Sequence, residues 1–130
     1  MSIRAEMVSL LGEGKGYTIG VTALAKSVRT WAKQLEKMGF STDIDVFKTG
    51  PGGAMHYGPS TVEITIEKEY KDAYGDDADF YESITFAAGG YGGIDDSNIG
   101  GTSGWRAMKQ EAERRLSKQL DWDRAKAYKP

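Results

Sequence analysis

The sequence predicts an α+β domain: a three-stranded antiparallel sheet with two helices on one face, in the order helix–strand–strand–strand–helix, behind a short N-terminal helical extension. Three observations carry this prediction. Apolar residues recur at helical spacing over 22–38 and again over 105–120. Between these stretches, three segments alternate apolar and polar residues with a period of two, as half-buried strands do. The connections between the strands are polar or rich in glycine and proline, which suits a simple meander. The 130 residues make one domain, with an extension over 1–21, a core over 22–120 and a tail over 121–130.

In chain order, 2–11 reads as a short helix opened by Ser2 and closed by Gly12, Gly14 and Gly16. Tyr17 to Val21 is an extended lead-in. The first long helix is 22–38, with Thr22 as N-cap and Gly39 just beyond its end. Leu24, Val28, Trp31, Leu35 and Met38 form its apolar stripe, while Lys26, Arg29, Lys33 and Lys37 fall mainly outside it. Phe40 folds back onto the same core.

The strands follow at 42–47, 61–70 and 81–88. Ile44 and Val46 alternate with Asp43 and Asp45. Val62, Ile64 and Ile66 alternate with Thr61, Glu63, Thr65 and Glu67. Ile84 and Phe86 alternate with Tyr81, Ser83 and Thr85. The segment 48–60 is a Gly/Pro loop, and 71–80 is a polar turn. After a glycine-rich loop, the second long helix starts near Thr102 or Ser103. Trp105, Met108, Ala112, Leu116 and Leu120 form its apolar row, with Arg106, Lys109, Gln110, Glu113 and Ser117 turned away. The last residues form a loose tail.

Composition excludes several classes. The chain has no cysteine, so a disulfide framework, a thiol nucleophile and a thiolate metal site are all ruled out. No apolar run approaches the roughly 20 residues of a membrane span. The first residues lack the pattern of a signal peptide, so a cytoplasmic location is expected. Net charge is only −2, but it is unevenly spread. Residues 22–40 carry four basic and one acidic side chain, and 102–120 carry five and two. Residues 41–101 carry three and twelve. Two positive helices therefore flank an acidic middle, and the sheet face away from the helices is expected to be acidic.

Several constellations could carry chemistry. The loop AAGGYGGIDDSNIGGTSG ends at a helix start, where backbone N–H groups with Arg106 and Lys109 could hold an anion. It matches no phosphate-loop motif, and Asp95 and Asp96 oppose an anion. His56, the one histidine, sits in GPGGAMHYGP with no nucleophile or orienting acid beside it in sequence. Asp43, Asp45, Glu63 and Glu67 fall across two strands and could gather a divalent cation. Asp72, Asp76, Asp77 and Asp79 lack EF-hand spacing and read as an acidic turn. No cofactor motif and no defined metal site emerges.

The element order, with Glu69-Tyr70-Lys71, resembles the PD-(D/E)xK nucleases, which would imply metal-dependent cleavage. That family carries its lysine on the third core strand, and YESITFAA has none. The same order resembles the double-stranded-RNA-binding domain. Over 22–120 that likeness implies RNA contacts through Arg29 or Lys33, the GPGGAMH loop with His56, and Arg106 with Lys109. YTIG followed by SVRTWAKQLEKMGF resembles a winged helix-turn-helix, with 41–66 as wing. In size and charge layout the chain is similar to the small inhibitors that phages direct against nucleic-acid-handling machinery.

The sequence thus favours a non-catalytic binding or inhibitor protein. It would dock on a basic protein surface through Asp43, Asp45, Glu63, Glu67, Tyr81 and Tyr91, or through its glycine-rich loops. Tyr57 and Trp122 are further candidate interface aromatics. The alternatives are a nucleic-acid-binding module using Arg29, Lys33, His56, Arg106 and Lys109, a binder of a small phosphorylated ligand, and a metal-dependent nuclease.

Overall fold

A computed structural model describes residues 19–48, 60–89, 97–100 and 104–130. The fold is α+β, with a mixed four-stranded sheet and three helices among the described residues. The elements are α1 (Val21–Lys37), β1 (Ser41–Phe47), β2 (Thr61–Lys71), β3 (Asp77–Ala87), β4 (Asn98–Ile99), α2 (Gly104–Ser117) and α3 (Trp122–Ala127). The sheet order is β1-β2-β3-β4. The first three strands pair antiparallel, as expected, and β4 pairs parallel to β3.

α1 buries Leu24, Val28, Trp31 and Leu35, the predicted stripe, together with Ala25 and Ala32. Its N-cap is Gly20, two residues before the predicted Thr22, and no side chain caps it. At its other end the Phe40 N–H donates to the Leu35 carbonyl at 3.2 Å and the Gly39 N–H to the Glu36 carbonyl at 3.0 Å. This is the Schellman arrangement. It needs a left-handed residue, and Gly39 supplies it at φ 94°. A Cβ there would also meet the Lys68 Cε at 3.0 Å. The close turn drives Phe40 into the core. Met38, the last residue of the predicted stripe, lies past the helix and is exposed.

β2 lies between β1 and β3. Its inward residues Val62, Ile64 and Ile66 have no exposed surface. β3 begins four residues earlier than the sequence suggested. Ala78 and Phe80 point inward and Asp77 and Asp79 outward, so two of the four acids of the predicted turn belong to a strand, while Asp72 and Asp76 stay in the turn. The turn is correspondingly tight. The Asp72 side chain accepts from the Tyr74 N–H at 2.8 Å and the Asp76 N–H at 3.0 Å, and Gly75 sits at φ 83°.

Two expectations need correction. The sheet is not three antiparallel strands, because Asn98 and Ile99 leave the glycine-rich stretch to pair with Thr85 and Phe86. Two residues are too few to show a period. The tail expected to be loose is also ordered as far as Ala127. α3 forms there, and Trp122 and Ala125 are buried. α2 stops at Ser117, which leaves Leu120, predicted to be apolar core, 97% exposed.

α1 packs on β1 and β2, α2 on β3 and β4, and α3 on β2. Two aromatic groups join the layers. Trp31 meets Phe86 and Trp105 edge-on at 6.2 and 6.3 Å. Trp122 stacks on Phe40 at 5.1 Å and lies 5.3 Å from Phe80. Among the described residues all three helices thus lie on the even-numbered face of the sheet and no element covers the odd-numbered face, where only Ala87, at the end of β3, is buried. Of the predicted extension over 1–21, residues 1–18 lie outside the described residues; Ile19 and Val21 join the core and α1.

Candidate docking face

The uncovered face follows from strand register. Asp45 lies opposite Glu63, Asp43 opposite Thr65, and Ser41 opposite Glu67. On the other side of β2, Glu63 meets Thr85, Thr65 meets Ser83, Glu67 meets Tyr81, Glu69 meets Asp79, and Lys71 meets Asp77. Neighbouring strands run about 4.8 Å apart. The face therefore gathers the carboxylates of Asp43, Asp45, Glu63, Glu67, Glu69, Asp77 and Asp79. Among the described strand residues its one cation is Lys71, which already pairs with Asp77. That pairing raises the Lys71 pKa above its ordinary value.

Like charges directly opposite one another, as at Asp45 and Glu63, weaken a sheet. The core side holds this arrangement in place. Glu63 is further fixed by the Ser83 hydroxyl, which donates to its Oε2 at 3.0 Å. Two aromatics stand among the acids: Phe47 is 50% and Tyr81 62% exposed. A shallow groove of about 680 Å³ opens at one end, lined in part by Glu67, Glu69, Asp79 and Tyr81.

Behind the face, two buried charges lock the fold. Lys68 takes the inward position after Ile66. Its Nζ donates to the carbonyls of Met38 at 2.7 Å and Tyr128 at 2.8 Å and lies 5.1 Å from the Phe40 ring centre. It ties the end of α1, β2 and the end of α3 together. Burial, with some help from Lys129, holds its ammonium below the usual lysine pKa. Glu111 of α2 accepts from Arg114 Nε and Nη2 at 2.7 and 2.6 Å and from Arg115 Nε at 2.8 Å. Those bonds hold its carboxyl at about 2 against burial. Arg115 also reaches the Ser97 carbonyl at 3.2 Å, fastening α2 to the start of β4. Near α3, burial first and then Asp121 push the Tyr70 hydroxyl up to about 12.

The remaining candidates separate. Arg29 and Lys33 are exposed on α1, and Arg106 is exposed on α2. Lys109 donates to Gln34 Oε1 at 3.4 Å and bridges the two helices. These cations occupy the side opposite the acids. Lys26, Trp31, Trp105 and Lys109 border a groove of about 250 Å³ between α1 and α2. His56, Tyr57 and Tyr91, with most of the glycine-rich loop, lie outside the described residues. Trp122, a candidate interface aromatic in the sequence, is core. Among the described residues no group of three His, Cys, Asp or Glu side chains converges to hold a metal ion. No helix there is long and apolar enough to cross a membrane. Glu69 and Lys71, the residues of the nuclease resemblance, lie on the outer face with Lys71 held by Asp77.

No protein family, characterised protein or solved structure matches the chain.

Sequence reasoning missed Lys68 and Glu111. A signal for Lys68 was present: it continues the inward series Val62, Ile64, Ile66, where a charge is out of place. Glu111 sits three residues after Met108, on the buried side of its helix, with two arginines at the i+3 and i+4 positions that pair with it.

Proposed function

We propose that the protein is a small non-catalytic binding protein that docks its acidic sheet face on a basic protein surface and regulates or blocks that partner. The observation behind this reading is the register of β1, β2 and β3. Among the described strand residues it places seven carboxylates on one open face with a single, already paired, lysine. Such a patch steers a cationic partner and repels an anionic one. Exposed Phe47 and Tyr81 supply apolar contact beside the charges.

The test uses a partner captured by the parent chain at low salt, identified and purified. Replacing Glu63 and Glu67 by lysine is expected to weaken its binding by at least about tenfold per site. Affinity of the parent should fall as salt rises. A double variant that binds as tightly as the parent would remove the proposal.

A second reading is a nucleic-acid binder using the cationic sides of α1 and α2, as the double-stranded-RNA-binding resemblance implies. It draws on the tryptophan-floored groove flanked by Lys26 and Lys109. It requires salt-dependent retention on duplex RNA or DNA that weakens on Arg29→Glu or Arg106→Glu.

A further inference from the structure

We propose that the outer edge of β1 takes an extended partner segment as a fifth strand, one with lysine or arginine at alternate positions and apolar residues between them. This rests on the docking reading above and names the chemistry of the partner. β1 pairs with β2 along its whole length, from Ser41↔Glu67 to Phe47↔Thr61, and no strand lies on its other side among the described residues. In an antiparallel pair, alternate residues turn their N–H and C=O groups away from the partner strand. About half of the β1 backbone groups thus face outward, ready for a new ladder.

Exposed edges are commonly blunted by proline, lysine, a bulge or shortness. β1 has none of these: its sequence is STDIDVF and its register is unbroken over seven residues, and the charges it does carry, Asp43 and Asp45, guard the edge only against other acidic strands. At the far edge β4 pairs only with Thr85 and Phe86, so the outer side of β3 over 77–84 also lacks a strand partner among the described residues, but its inward residues Phe80 and Ile84 are already buried and leave no apolar gap to fill. Apolar burial is also incomplete on the β1 side. Ile44 and Val46 are only half-buried, whereas Val62, Ile64 and Ile66 of β2 are fully covered. An added strand with apolar residues on that side would finish the layer.

Charge then selects the occupant. On the outer face the new strand would lie beside Asp43 and Asp45, which favour lysine or arginine. A second copy of this chain does not fit. Antiparallel pairing of β1 with β1 about Ile44 places Asp43 against Asp45 twice. Centring it on either aspartate sets that aspartate against itself. In these registers, which overlap most of the strand, the edge disfavours its own kind, and its charge favours a basic strand.

The probe is a capped nine-residue peptide of alternating valine and lysine, with a valine–glutamate peptide as control. The valine–lysine peptide is expected to bind one-to-one and to slow hydrogen exchange at alternate amides within 41–47. Asp43→Lys/Asp45→Lys should cost at least about tenfold in affinity and admit the glutamate peptide instead. Asp79→Lys lies three strand spacings from the new strand, about 14 Å, beyond the screening length. It should change affinity less than about threefold. Binding that leaves the 41–47 amides unprotected, or that falls equally with Asp79→Lys, would overturn strand addition while leaving the docking face standing. If the peptide fails to bind while the captured folded partner still binds the acidic face, strand addition alone falls. If neither binds, both readings fall.

Discussion

Replacing Glu111 by glutamine tests whether the buried carboxylate stabilises the fold through its two arginines. A carboxyl held at about 2 against an ordinary 4.5 corresponds to about 3 kcal/mol at neutral pH. Glu111 is 5% exposed, but its partners Arg114 and Arg115 are 48% and 26% exposed, and water screens part of the attraction. The observable loss is therefore about 2 kcal/mol, or about 6–10 °C in Tm for a chain of this length. The folded pKa lies below the unfolded one, so the contribution is complete above pH 4.5 and disappears as pH falls through 2. Urea denaturation of parent and Glu111→Gln from pH 7 to pH 2 reads this directly. The gap between the two should hold from pH 7 to about pH 5 and then close. A gap of zero at pH 7, or one that does not change with pH, would refute the argument.

Other perturbations probe different parts of the frame. Trp122→Ala removes the ring stacked on Phe40 and packed beside Phe80 and should cost about 3–5 kcal/mol in chemical denaturation. Leu120→Ala, two residues away and 97% exposed, should stay within about 0.5 kcal/mol. Lys68→Met keeps the volume but frees the Met38 and Tyr128 carbonyls. The amides of Ala125 and Tyr128 should then exchange about tenfold faster, with Val28 unaffected. Because the Lys68 pKa is lowered in the fold, its own contribution rises as pH approaches 10.5, so the parent should gain stability relative to the methionine variant over that range.

What the sequence could reveal depended on how many residues each pattern spans. α1 was legible because Leu24, Val28, Trp31 and Leu35 repeat the helical period over three turns, and all four are buried. β2 was legible because its alternation runs unbroken through Val62, Ile64 and Ile66. That same alternation, continued onto Glu67 and across to Tyr81, marks in the sequence which acids face outward. The start of β3 was obscured by its composition. In Asp77-Ala78-Asp79-Phe80 the acids suggest a turn, and only pairing with β2 shows the alternation. β4 and α3 are too short to carry a period, and each forms through tertiary contact: Ile99 beneath the helices, and Trp122 against Phe40. The partly open edge at β1 was invisible in sequence, because nothing in STDIDVF says which side of the strand stays unpaired.

The central claim is that the acidic sheet face is the surface that meets the partner. Carbodiimide labelling of carboxylates, with and without the captured partner, reads this side chain by side chain. The account predicts that the partner shields Asp43, Asp45, Glu63 and Glu67 from labelling while Glu113 and Asp123, on the helices, label as in the free chain. Shielding of Glu113 or Asp123 with the four strand carboxylates still fully reactive would contradict it.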